Sequence, residues 1–126
     1  PGRRAWEAPV PGIYQPWVAG DFIFAVSIDS EAVCIDARSG RILWVTQLPR
    51  FEDEDDQDER LIWAGPALAS DRLIVVGSHG RALSLSPYTG AVLGQIELRD
   101  GTTMPPVFAS KTMFVLDNDG DLTAYR

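Results

Sequence analysis

Asp117, Asp119 and Asp121 alternate in the run Asp-Asn-Asp-Gly-Asp, and alternating carboxylates are what a calcium loop uses. The spacing does not fit one. An EF-hand loop needs Gly at its sixth position and a bidentate acid at its twelfth, whereas counting from Asp117 makes Gly120 fourth and Leu122 sixth. The run reads as a solvated hairpin turn. His79 is the single histidine, so a Ser-His-Asp relay or a histidine-rich metal centre would rest on it alone, and it reads as a surface turn residue. Cys34 is the single cysteine. It cannot close an internal disulfide, and between Val33 and Ile35 it reads as a buried thiol acting as a small hydrophobe. No catalytic residue, cofactor contact or metal ligand is assigned.

The strongest charge feature is a run of acids, Glu52, Asp53, Glu54, Asp55, Asp56, Asp58 and Glu59, which holds seven of the 18 acidic residues. Such a run repels itself and cannot be buried unpaired, so it must face water. It is either a solubilising loop or a docking strip for a basic partner or divalent ions, with steering that weakens as salt rises. The chain is otherwise neutral, since the remaining acids balance the 11 basic residues. One lysine, Lys111, and scattered arginines give no clustered basic face, so a nucleic-acid partner is set aside. Apolar runs such as Leu73 to Val76 are far below the roughly 20 residues that span a bilayer. The sequence opens at Pro1 without an initiator Met, which reads as a processed chain or an excised piece.

These residues sit on a repeat. Pro16-Trp17-Val18-Ala19-Gly20-Asp21-Phe22-Ile23-Phe24 aligns with Pro66-Ala67-Leu68-Ala69-Ser70-Asp71-Arg72-Leu73-Ile74, and again with Pro106-Val107-Phe108-Ala109-Ser110-Lys111-Thr112-Met113-Phe114, at offsets of 50 and 40 residues. Removing Phe51 to Arg60 makes both offsets 40, so the acidic run is an insertion between two copies of one unit. Each unit consists of short β-branched and aromatic runs broken by turn residues, with no helical periodicity. The first copy predicts strands at Pro16 to Val18, Phe22 to Ile28, Ala32 to Asp36 and Arg41 to Leu48. The second predicts them at Pro66 to Ala69, Arg72 to Gly77, Ala82 to Ser86 and Ala91 to Leu98. The third copy stops after its third strand, Asp121 to Arg126. A spare fourth strand stands at the other end, where Trp6-Glu7-Ala8-Pro9-Val10-Pro11 resembles Trp44-Val45-Thr46-Gln47-Leu48-Pro49.

A four-stranded antiparallel unit of this length cannot cover both faces alone, and stacking such units around an axis gives a β-propeller. The expected fold is all-β, with about three four-stranded blades forming a partial ring. Residues 1–11 are the outer strand of a preceding blade, 14–49 a blade, 50–62 the acidic insertion, 63–99 a blade and 103–126 an incomplete blade. Open ends with unpaired edges invite self-association, and the Trp6 strand could complete the last blade within one chain or in a neighbour. Trp6, Trp17, Trp44 and Trp63 fall at strand positions and read as packing between blades.

The repeat resembles the pyrroloquinoline-quinone-type propeller repeat, whose docking motif reads Ala-x-Asp-x-x-Thr-Gly-x-x-x-Trp. The first copy has Cys34-Ile35-Asp36-Ala37-Arg38-Ser39-Gly40-Arg41-Ile42-Leu43-Trp44; the second keeps Thr89-Gly90 but has Ser86 for the Asp and Gly94 for the Trp. The resemblance gives Asp36, Ser39, Gly40, Trp44, Thr89 and Gly90 a structural role: glycine permits the turn, short polar side chains bond its backbone and the indole wedges between blades. The stretch from Val107 to Arg126 is similar to the C-terminus of the propeller lipoproteins of the outer-membrane β-barrel assembly machinery. That resemblance implies a non-enzymatic scaffold, the last blades of an eight-bladed ring. It also implies a place on the periplasmic face of the outer membrane of a Gram-negative bacterium, and the central barrel-inserting subunit as partner. The alternatives are a ligand-binding or sensory propeller, or a fragment of a quinone-dependent dehydrogenase. The last would need a vicinal cysteine pair, and this chain has one cysteine.

Overall fold

The computed structural model describes residues 2–10, 13, 16–52 and 60–126. Among the described residues eleven strands form three antiparallel sheets. The first runs in the order β1 (Trp17–Ala19), β2 (Phe22–Val26), β3 (Glu31–Asp36), β4 (Ile42–Gln47). The second repeats it with β5 (Trp63–Ala69), β6 (Arg72–Gly77), β7 (Arg81–Leu85) and β8 (Val92–Glu97). The third has β9 (Val107–Ala109), β10 (Thr112–Leu116) and β11 (Leu122–Tyr125). Each sheet is a meander whose sequential strands are spatial neighbours, as short turns require. These are propeller blades, at the positions the repeat predicts.

The copies agree in register as well as in strand number. Phe24 pairs with Cys34 and Cys34 with Trp44 in blade 1; Ile74 pairs with Ser84 and Ser84 with Gly94 in blade 2. Both blades shift register at the same point of the third strand, between Cys34 and Ile35 and between Ser84 and Leu85. The β5–β6 ladder shifts between Ala64 and Ala67, where Pro66 has no N–H to give.

Burial follows the pleat. Along β2, β3, β6 and β7 both faces are covered, which is why these inner strands read as continuous apolar runs. Phe24, Val26, Ala32 and Cys34 of blade 1 meet Trp63, Leu73, Val75, Leu83 and Leu85 of blade 2 in one core, closed by Leu48 and Leu61. Ile74, Val76 and Leu98 of blade 2 meet Met113 and Val115 of blade 3 in a second, flanked by Phe108 and Tyr125. The outer strands β4 and β8 leave Ile42, Leu43, Val45, Val92, Leu93 and Ile96 exposed.

The N-terminal segment departs from expectation. Residues 2–10 form no strand and join none of the three sheets. They lie instead on the outer face of blade 1, where Trp6, Ala8 and Val10, with Ile13, cover Ala25, Val33 and Ile35. Residues 11, 12, 14 and 15, and 53–59 within the insertion, lie outside the described residues.

Candidate functional site

The motif residues build a socket for an indole. In the turn joining β3 to β4, the Asp36 carboxylate accepts the N–H groups of Arg38 (2.8 Å) and Ser39 (3.4 Å), and the Ser39 hydroxyl accepts that of Arg41 (3.3 Å). Gly40 closes the turn with positive φ, its N–H donating to the Asp36 carbonyl at 2.8 Å. The second copy reaches the same geometry with other side chains. Ser86 Oγ accepts from Tyr88 and Thr89, and Thr89 Oγ1 from Ala91, so Ser86 does the work of Asp36.

Each socket is filled by a tryptophan of the segment that precedes its blade in the ring. Trp44 donates Nε1–H to the Pro87 carbonyl at 3.0 Å and lies over Gly90, where an added Cβ would be 2.5 Å from its Cε3. Thr46 donates to the Gly90 carbonyl at 2.6 Å. Trp6 donates to the Ala37 carbonyl at 2.7 Å and lies over Gly40, where a Cβ would be 2.6 Å from its Cε3. The glycine is therefore needed twice, for its φ and for the indole that rests on it. Sequence reasoning saw the first reason only. Gly94, at the tryptophan position of blade 2, supplies no indole.

The other two tryptophans behave differently. Trp63 opens β5, is buried between blades 1 and 2, and donates Nε1–H to the Pro49 carbonyl at 2.8 Å, across the base of the acidic insertion. Trp17 is 39% exposed and lines a small cleft where Gly65, Pro66 and Ala67 of blade 2 meet Pro105 and Pro106 of the segment leading into blade 3.

His79 is half-buried, contrary to the surface reading. Its ring stands edge-on to Trp63 at a centroid distance of 5.1 Å, and Nδ1 has no hydrogen-bond partner. Burial pushes its pKa down, Arg81 adds to the shift, and Glu52 and Glu97 oppose it. Gly77 leaves room for this ring, a local signal that the sequence did carry. Cys34 is buried as expected, its thiol pushed up to about 11 by burial first and Asp36 second. It lines an apolar cleft of about 270 Å³ between blades 1 and 2, with Ala19, Phe24, Trp44, Leu68 and Tyr88.

Of the seven acids proposed for partner binding, Glu52 is described, and Asp53, Glu54, Asp55, Asp56, Asp58 and Glu59 lie outside the described residues. The base of the insertion is fixed: Phe51 pairs with Arg60, Leu61 N–H donates to the Arg50 carbonyl at 2.7 Å, and Arg60 reaches the Ile28 carbonyl at 2.9 Å and Asp29 at 3.3 Å. The insertion thus leaves the rim that carries the β2–β3 turn. At the corresponding turn of blade 3, carboxylate oxygens of Asp117 and Asp119 lie within 4.8 Å of one another and of that of Asp100, from the connection after β8. Asp117 is a turn brace, accepting from the Asp119 and Asp121 N–H groups at 3.0 Å as Ser27 accepts from Asp29 and Glu31 in blade 1. A hydrogen bond between Asp100 and Asp119 holds the Asp100 pKa down and the Asp119 pKa up.

Comparison with known proteins agrees with this geometry. The family described as outer membrane protein assembly factor BamB matches residues 1–46. BamB of Pseudomonas aeruginosa is 26% identical over 138 residues, covering 86% of this chain and 36% of that protein. The crystal structure of BamB from Moraxella catarrhalis superposes with a TM-score of 0.63 at 22% identity, covering 83% of this chain and 30% of that one. Quinohemoprotein alcohol dehydrogenase from Comamonas testosteroni gives 0.70 at 17% identity, over 88% of this chain and 18% of that one, a likeness of fold. The chain spans about a third of the length of the Pseudomonas relative. With its sockets, meander blades and repeat spacing, the chain is a run of β-propeller blades similar to those of the outer membrane protein assembly factor BamB.

Proposed function

We propose that this chain is a non-enzymatic propeller scaffold that binds protein partners in outer-membrane assembly, at the periplasmic face of the outer membrane. The observation that carries the reading is what the motif residues do. Asp36, Ser39, Gly40, Trp44, Thr89 and Gly90 are all engaged in holding turns and joining blades, which leaves them no part in chemistry. The similarity to BamB supports the assembly role. The partner follows from the same similarity: the periplasmic domains of the central barrel-inserting subunit. The acidic run from Glu52 to Glu59, flanked by the paired residues Phe51 and Arg60, is the strip for a basic surface. The chain is also expected to self-associate, through the edge of β11 that has no partner among the described residues.

The test is calorimetric titration of this chain with those periplasmic domains at low and high salt, beside a variant with the acids at 53–59 replaced by their amides. The reading expects binding that weakens with salt in the parent and is weaker in the variant. Saturable binding of free pyrroloquinoline quinone with calcium, together with no protein binding, would replace it with the dehydrogenase alternative.

A further inference from the structure

The apolar cleft between blades 1 and 2 is enclosed by two complete four-stranded sheets. One wall is the stacked face of blade 1; the other is formed by the β5–β6 and β7–β8 turns of blade 2, with Leu68 between them. An antiparallel meander puts its first and third turns at one end of the sheet and its second turn at the other, so the cleft opens on the rim opposite the acidic insertion.

The blade 1 wall is a row of rings. Phe22 and Phe24 stack at a centroid distance of 6.3 Å and an interplanar angle of 28°, and Phe24 meets Trp44 at 6.3 Å. Phe24 is buried at the floor, whereas Phe22 is 43% exposed. Tyr88, from the β7–β8 turn, adds a fourth ring, 73% exposed. Aromatic faces attract cations through the ring quadrupole, and more strongly where water is excluded.

The repeat explains the charge beside these rings. Asp21 and Asp71 hold the same place after the first strand of their blades, and Arg38 and Tyr88 the same place in the turn before the fourth, both at the offset of 50 residues. In blade 1 the Arg38 guanidinium meets the Asp21 carboxylate at 3.2 Å. In blade 2 a phenol replaces the guanidinium. Its hydroxyl reaches Asp71 at 3.5 Å, the far limit of a hydrogen bond, and Asp71 has no ion pair among the described residues. No other acidic or basic side chain lines the cleft.

We propose that this cleft binds a small organic cation, a quaternary ammonium or protonated amine carried on an aromatic or branched aliphatic body. The cationic head takes the place beside Asp71 and Tyr88 that a guanidinium fills beside Asp21, and the body enters between Phe22, Phe24 and Leu68. A volume of about 270 Å³ suits a molecule of fragment size, at the small end of ligand pockets. An anion of the same shape would meet the Asp71 carboxylate with nothing to offset it.

The test is a heteronuclear NMR titration of the chain with benzyltrimethylammonium, beside phenylmethanesulfonate, an anion of similar size. The cation should give saturable shifts at the amides of Phe22, Ser70, Asp71 and Tyr88 and at the Trp44 Nε1–H, and the anion none there. Asp71→Asn should raise the dissociation constant of the cation about 10-fold. Tyr88→Arg, which recreates the blade 1 pair, should abolish the shifts. Both side chains are exposed, so circular dichroism should show the blades intact in each variant. Equal shifts with cation and anion, shifts confined to the residues flanking the acidic insertion, or no saturable shift would each overturn the proposal. So would an unchanged affinity in Asp71→Asn or binding retained by Tyr88→Arg.

Discussion

Replacing Gly40 by alanine tests whether the socket couples the turn to the indole above it. Two costs are separable. At φ of 77° any Cβ is strained, about 1–2 kcal/mol. The new methyl would also lie 2.6, 2.7 and 2.9 Å from Cε3, Cδ2 and Cγ of Trp6, whereas carbon atoms rest at roughly 3.5–4 Å. The indole must therefore move by about 1 Å, and its 2.7 Å bond to the Ala37 carbonyl does not survive such a shift. Losing that bond costs about 0.5–1.5 kcal/mol, and lifting the ring off Ala25, Val33 and Ile35 adds some apolar exposure. Gly40→Ala should thus destabilise the parent by about 2–4 kcal/mol. In a Trp6→Ala background the three close atoms are gone and the backbone strain of about 1–2 kcal/mol remains. Urea unfolding of the four proteins of this cycle gives the coupling directly, expected at about 1–2 kcal/mol. Equal effects of Gly40→Ala in both backgrounds would refute the socket, leaving a glycine chosen for its φ alone.

Two further outcomes follow from buried groups. Cys34, with its thiol raised to about 11 and its side chain in the core, should resist alkylation at pH 8 in the native protein and react at the rate of a free thiol in urea; labelling at similar rates in both states would contradict its burial. His79 has a folded pKa below the ordinary 6.5, so the unfolded chain takes up its proton first. Its contribution to stability is therefore whole above pH 6.5 and is lost as the pH falls from there through the folded value. Thermal unfolding should show wild type losing stability between pH 7 and 5 relative to His79→Gln, a difference that would be absent were the ring freely solvated.

The blades were legible because each is local. Short β-branched and aromatic runs, the paired turn residues at Asp29-Ser30, His79-Gly80 and Asp119-Gly120, and the offset of 40 residues are all local signals, and the strands of the three blades fall where these put them. The contacts between blades are another matter. Which tryptophan fills which socket depends on a face supplied from about 40 residues away, so Trp44, Trp63 and Trp17 read alike in sequence and differ in space: one over Gly90, one buried beside His79, one exposed beside prolines. His79 was misread for the same reason, since the ring that covers it follows the insertion. The substitution of Ser86 for Asp proved harmless because a hydroxyl can accept the same two N–H groups as a carboxylate. Residues 6–10 carry the pattern of a strand without being one, because a strand is a property of a pair of edges.

The absence of an indole at Gly94 makes the array mechanically graded. Blades 1 and 2 are pinned to each other by Trp44, Thr46 and Trp63 in addition to their shared core, whereas blade 3 is tied to blade 2 by apolar packing, by Thr102 donating to the Leu116 carbonyl at 2.6 Å, by Asn118 donating to the Gly101 carbonyl at 2.9 Å, and by the Arg99 N–H donating to the Tyr125 hydroxyl at 2.7 Å. Amide exchange should accordingly be quickest in β10 and β11, and a load applied between the termini should peel the C-terminal blade away while the tryptophan-bolted pair holds.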